Sequence, residues 1–344
     1  MIQLKSTVAA TMLTLVLSAA LQASAQRPTD IPRDTSFTVW STAKKVHKKH
    51  PEAVVMPASL PAGVKEWRDV VYTHFEETPF GPRDLHVDIF RPDNDSILPA
   101  LLMVHGGGWN SGDRSLQFPM AQQIAKAGYV TIPVEYRLIP EAIYPAGLHD
   151  LKTAVRWARA HAAEYGIDPE RIAMSGCSAG AHLATLVGVT NGSPTHEGNG
   201  EWADCSSELQ AVINMDGIAT FVSPENILDS EQHFKKKGEL HVNAKWLGGL
   251  YKDSPAHWNE ASALNWITPS SAPVCFISSG LPRYSDGRDE LVERYNTLGL
   301  YSERHKIDVD IHPYWFFHPW VDEALTHAVR FLDKTFKTQS SNTK

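Results

Sequence analysis

Residues Gly176-Cys177-Ser178-Ala179-Gly180 set a thiol and a hydroxyl side by side between two glycines. The apolar run "RIAMSG" leads into them and the small residues "AHLA" follow, the strand-turn-helix context that a G-x-S-x-G nucleophile turn requires. Such a turn is tight enough to demand glycine at both flanks. It holds its central residue in a strained conformation at a helix N-terminus, where the dipole favours a developing anion. The central residue is Ser178. Cys177 as nucleophile would put the glycines out of phase, so it is expected to face the sheet as a packing residue.

A serine hydroxyl attacks an acyl carbon only when a base takes its proton and donors hold the oxyanion. The stretch His105-Gly106-Gly107-Gly108-Trp109 ends the apolar run "ALLMV", and its backbone is bare enough to approach a substrate oxygen. The amides of Gly107 and Gly108, with that of Ala179, are the expected oxyanion donors. Either glycine motif alone is common; together they point to acyl transfer.

Both motifs need strands that end at the same edge. "WRDVVYTHF" and "LHVDIFRP" alternate apolar and polar residues, as a half-solvated antiparallel pair does. "ALLMV", "YVTIPV", "RIAMSG", "LQAVINMDG" and "APVCFISSG" read as buried strands, with a further edge strand over 301–308. Helical patterns intervene, notably Leu151, Ala154, Val155, Ala158 and Ala162 on one stripe. Strands separated by helices predict an α/β fold with a mostly parallel central sheet and helices on both faces. Residues 64–337 form the expected catalytic domain, with an irregular insertion at about 221–269 placed over the site.

Lys5, the apolar stretch Thr7–Leu21 and "ASA" at 23–25 read as a signal peptide over 1–25, so the chain is expected to be exported, to the periplasm. Residues 26–63 read as a polar N-terminal arm whose basic run "KKVHKKH" is a solvated face, and 338–344 as a tail. The chain has 344 residues, 42% hydrophobic and 21% charged, with a net charge of −7. That balance supplies a sizeable core and no basic excess for nucleic acid. Three cysteines, Cys177, Cys205 and Cys275, are too few and odd in number for a disulfide framework. No membrane insertion is expected once the signal peptide is removed.

The blocks "HGGGW", "VEYRLIPE", "YPAGLHDLKTAVRW" and "SGCSAGAHLA" resemble, in that order, those of α/β-hydrolase esterases of the hormone-sensitive-lipase-like group. The later blocks "LPRYSDGRDE" and "HPYWFFHPWVDEALTHAVRFLDKTF" resemble bacterial carbohydrate esterases acting on pectin and other plant polysaccharides. The resemblance runs from Val64 to Lys337. It implies the α/β-hydrolase fold, a Ser-acid-His triad, and neither metal nor organic cofactor. It also places the base after the last strand, among His305, His312 and His318, and maps it onto His312 with His318 as the alternative. The acid is expected after the "VCFISSG" strand, at Asp289, with Asp286 and Asp216 as alternatives.

Trp109 and Trp315 beside these loops suit stacking on sugar rings, with His318 lining the pocket. Arg283 and Arg288 suit the carboxylates of a uronate chain. The expected substrate is an ester substituent of pectin, methyl ahead of acetyl. Acetyl xylan or feruloyl ester hydrolysis is the alternative chemistry, and a non-catalytic glycan-binding protein on an esterase fold the alternative class.

Overall fold

The computed structural model describes residues 31–337. The expected signal peptide and the C-terminal tail lie outside the described residues. Ten strands run in chain order: β1 (Val54–Val55), β2 (Val64–Phe75), β3 (Arg83–Pro92), β4 (Leu98–Val104), β5 (Val130–Val134), β6 (Ile167–Cys177), β7 (Ala211–Met215), β8 (Val274–Ser278), β9 (Ser302–Lys306) and β10 (Phe317–His318). Eight of them form one sheet in the order β2-β3-β5-β4-β6-β7-β8-β9. The pairs β2–β3 and β3–β5 are antiparallel, and from β5 to β9 every pair is parallel. This is the α/β-hydrolase arrangement.

Helices α1 (Val39–Val46), α2 (Phe118–Lys126), α3 (Ala146–Ala160), α4 (Ala162–Tyr165), α5 (Ala179–Val189), α6 (Pro224–Lys237), α7 (Val242–Trp246), α8 (Pro255–Glu260), α9 (Arg288–Leu298) and α10 (Trp320–Lys337) complete the chain. Two apolar clusters, one on each face of the sheet, hold it. One gathers α3, α5 and the insertion around Leu151, Leu183, Trp246 and Trp258. The other gathers α1, α2 and α10 around Val46, Ile124, Phe317 and Phe331. None of the helices among the described residues is long and apolar enough to cross a membrane.

Two expectations change. Strand β3 is buried along nearly its whole length instead of alternating, because it lies between β2 and β5 rather than at an edge. The N-terminal arm, from Ile31 on, is not a solvated tail. Its capping box at Thr38 and Ser41 starts α1, which buries Thr42, Ala43 and Val46. Strand β1 then pairs antiparallel with β10, Val54 opposite His318 and Val55 opposite Phe317. The lysines of the run stay exposed; the apolar residues between them dock.

Candidate active site

Strands β6 and β7 are in register with Cys177 opposite Met215, so the next residues, Ser178 and Asp216, leave the sheet side by side at its carboxyl edge. The ladder continues one step beyond the strands: the Ser178 amide donates to Met215 O at 2.8 Å and the Asp216 amide to Ile277 O at 3.3 Å. Ser178 has φ 56° and ψ −120° ahead of α5. A non-glycine residue there is strained by about 1–3 kcal/mol, which the surrounding ladder must hold. A Cβ on Gly176 would lie 2.2 Å from the Gly180 carbonyl, so the flanking glycine is obligatory.

His312 lies on the loop after β9. Its Nε2 is 2.8 Å from Ser178 Oγ and its Nδ1 is 3.1 Å from Asp216 Oδ2. Asp216 is buried, with φ 54°, and its Oδ1 accepts the Ser279 amide at 2.8 Å. The carboxylate is thus gripped at one oxygen by the strand-β8 loop and faces the imidazole with the other. Burial pushes the His312 imidazole below the usual histidine range, against the opposing pull of the Asp216 hydrogen bond and charge. At neutral pH the ring is therefore uncharged, with a lone pair available to the serine proton.

Gly106 brings the oligoglycine loop against this turn; a Cβ on it would lie 3.0 Å from Ser178 Cβ. Gly107 has φ +128°, and a Cβ there would meet the Ser111 carbonyl oxygen at 2.0 Å. The Gly107 carbonyl is tied down by the amides of Asn110 and Ser111, at 3.2 and 3.0 Å, and by Ser111 Oγ at 3.0 Å. None of the backbone hydrogen bonds of the described loops uses the amides of Gly107, Gly108 or Ala179 as donor. Three donors are left over beside a serine paired to a neutral histidine, an arrangement suited to nucleophilic attack on a carbonyl carbon.

The expected acid does not reach the histidine. Asp289 sits exposed in the first turn of α9, where it accepts from Arg288 Nε and Arg304 Nη1, each at 3.0 Å. Those guanidinium groups hold its carboxyl below the ordinary range. Asp286 accepts from Ser223 Oγ and Asn226 Nδ2 and fastens the loop to the start of α6. The acid position falls to Asp216, the alternative from the neighbouring strand.

His318 pairs with Asp322 at 2.8 Å and faces a different depression, lined by Met56, Pro57 and Leu325. It neither serves as base nor lines this site, because β10 turns it outward. The two tryptophans are not open platforms either. Trp109 is only 7% exposed and stacks on Trp246 of α7 at 4.9 Å, while Trp315 is 2% exposed and packs edge-on to His312 at 5.1 Å. Arg288 is spent on Asp289. Arg283 is exposed, with its guanidinium 4.7 Å above the Tyr284 ring.

Tyr284 itself was not foreseen. Its ring lies flat on the His312 imidazole, with centroids 3.4 Å apart and planes 8° apart. A tyrosine two residues before Asp286 carried no periodic signal in the sequence. All three cysteines are free; burial pushes the thiols of Cys177 and Cys275 well above their usual range, so neither is a nucleophile at neutral pH.

Comparison with known proteins agrees with this geometry. The family model BD-FAE matches residues 87–283, which include Ser178 and Asp216 and stop before His312. Esterase LipQ of Mycobacterium tuberculosis is 30% identical over 210 residues, covering 59% of this chain and 48% of LipQ. The carboxylesterase NlhH of the same organism is 40% identical over 112 residues, 31% of this chain and 34% of NlhH. The chain thus spans less than half the length of the curated relatives it matches. Among solved structures, a truncated carbohydrate esterase from gut microbiota superposes with a TM-score of 0.64 at 20% identity, over 79% of this chain and 96% of that one. Esterase B of Lactobacillus rhamnosis superposes with a TM-score of 0.66 at 18% identity, over 96% and 99%. With the family match running over more than half its length, the chain belongs to the BD-FAE family and carries the α/β-hydrolase fold of esterases.

Proposed function

We propose that this protein is a serine carboxylic ester hydrolase that removes methyl or acetyl ester substituents from pectin in the periplasm. The observation that carries the reading is the hydrogen-bonded chain Ser178–His312–Asp216 facing three undonated amides. Ser178 Oγ attacks the ester carbonyl carbon as His312 Nε2 takes its proton, and the oxyanion forms toward Gly107, Gly108 and Ala179. Asp216 keeps the other imidazole proton on Nδ1 and stabilises the imidazolium. On collapse, the bond from carbonyl carbon to alcohol oxygen breaks, and the imidazolium gives its proton to the departing oxygen. Water then repeats the cycle on the acyl-serine and releases the acid.

Support for a sugar substrate comes from the exposed Arg283 near the histidine and from fold neighbours described as carbohydrate esterases. Product analysis on native pectin tests the proposal. Methanol or acetate released by the wild type, and lost in Ser178→Ala, supports it. Ferulate, or acetate from xylan alone, replaces it with the alternative esterase chemistry. Glycan binding without any turnover replaces it with a binding protein.

A further inference from the structure

Between α1 and the histidine loop lies a groove of about 400 Å³, lined on one side by Ser41, Lys45, Lys49 and His50 and on the other by Tyr284 and His312. In a protein of net charge −7, this wall carries Lys45, Lys49 and His50 beside the apolar Phe37 and Val46, and α1 contributes no acidic residue. Asp310 compensates part of that charge, pairing with His50 Nε2 at 2.7 Å and Lys49 Nζ at 3.3 Å. Glu52 approaches His50 from the outside at 3.2 Å. Lys45 has no carboxylate partner among the described residues. The groove therefore keeps a cationic excess a short way from the catalytic imidazole.

Its side of the site matters. The proton held on His312 Nε2 passes to the departing alcohol, so the alcohol half of an ester must lie on the histidine side. Beside the oligoglycine loop, Trp109 packs with His182, Phe221 and Trp246, the ring centroids 4.8–5.9 Å apart. Room and positive charge lie on the His312 side, where the alcohol half leaves.

We propose that the groove between α1 and the His312 loop is a subsite for the alcohol half of the ester, a sugar chain bearing free carboxylates that Lys45 and Lys49 engage. Resting on the esterase reading above, this names acyl esters carried on a uronate chain, acetate above all, as the substrate class. It places them ahead of methyl esters of the chain's own carboxylates, whose departing methanol needs no such groove. The bond cleaved is the one between the acetyl carbon and the sugar oxygen, which leaves with the proton from His312.

The test is the ratio of kcat/KM on an acetylated oligogalacturonide to that on a neutral acetylated xylo-oligosaccharide of equal length. In the double variant Lys45→Ala/Lys49→Ala the ratio falls about three- to tenfold, and Lys45→Glu lowers it further. Lys44→Ala, on α1 but outside the groove lining, leaves the ratio unchanged. The wild-type ratio also falls as salt rises from about 0.05 to 0.5 M, as the Debye length shrinks below about 5 Å. A ratio unchanged in Lys45→Glu, or equal losses on both substrates, overturns the subsite. Faster methanol than acetate release from a substrate carrying both overturns the preference for acyl esters. Absence of wild-type turnover on any ester, p-nitrophenyl acetate included, instead overturns the esterase reading itself.

Discussion

Replacing Asp216 by asparagine changes one oxygen to an amide nitrogen while keeping the volume of a buried side chain. The Ser279 amide still needs an acceptor, so the remaining oxygen stays where Oδ1 now accepts at 2.8 Å. The amide NH2 is then turned toward His312 Nδ1, 3.1 Å from the oxygen it replaces. A donor there forces Nδ1 to be the acceptor and moves the ring proton to Nε2, which points at Ser178 Oγ. The imidazole can no longer take the serine proton without first losing its own, and the imidazolium has no counter-charge. A tautomer fault of this kind costs about 10³- to 10⁴-fold in kcat, equivalent to about 4–5.5 kcal/mol at about 1.4 kcal/mol per decade. Initial rates on p-nitrophenyl acetate, with thermal unfolding as a fold control, measure it. Asp289→Asn disrupts only exposed ion pairs and stays within about twofold of wild type. An Asp216→Asn enzyme that keeps a tenth of its activity while Asp289→Asn loses it would refute the reasoning.

Three further outcomes follow from the same geometry. Gly107→Ala puts a methyl into the Ser111 carbonyl at a positive φ, so the oxyanion loop shifts; kcat falls about 100-fold or more, and a kcat within threefold of wild type counts against these donors. The acid limb of kcat/KM has its midpoint below the ordinary histidine value of about 6.5, because protonation of a ring whose pKa burial lowers is what stops the reaction. In Asp216→Asn the limb moves lower still, as the carboxylate that raised the imidazole is gone; a midpoint above about 7 in either protein contradicts the assignment. Cys177→Ala retains activity within about threefold, and iodoacetamide leaves the native wild type active, since the thiol is buried and held protonated.

The nucleophile turn and the oligoglycine loop were legible because each demands rare residues in a fixed phase with the preceding strand. The carboxylate was not. Strands β7 and β8 both end in loops that reach His312, and a linear sequence does not say which of two adjacent strand ends presents its oxygen. Asp216 directly after an apolar run and before Gly217 was the available signal, and Asp286 and Asp289 offered competing ones. In the N-terminal arm, four lysines mask the docking face that the spacing of Val39, Thr42, Ala43 and Val46 marks. Tryptophans beside catalytic loops suggested sugar platforms, yet large aromatics bury more surface than any other side chain, and packing took Trp109 and Trp315.

The contact of His50 with Asp310 joins residues 260 positions apart, and β1 pairs with β10 over a similar span. Contacts so distant in the chain close large loops, and a topology rich in them folds slowly. During synthesis Ser178 is made 134 residues before His312, and the front segment has no partner until residues 310–318 are made. The proposed triad is thereby assembled from residues made far apart in time, and the arm that flanks it docks on the segment that follows the base.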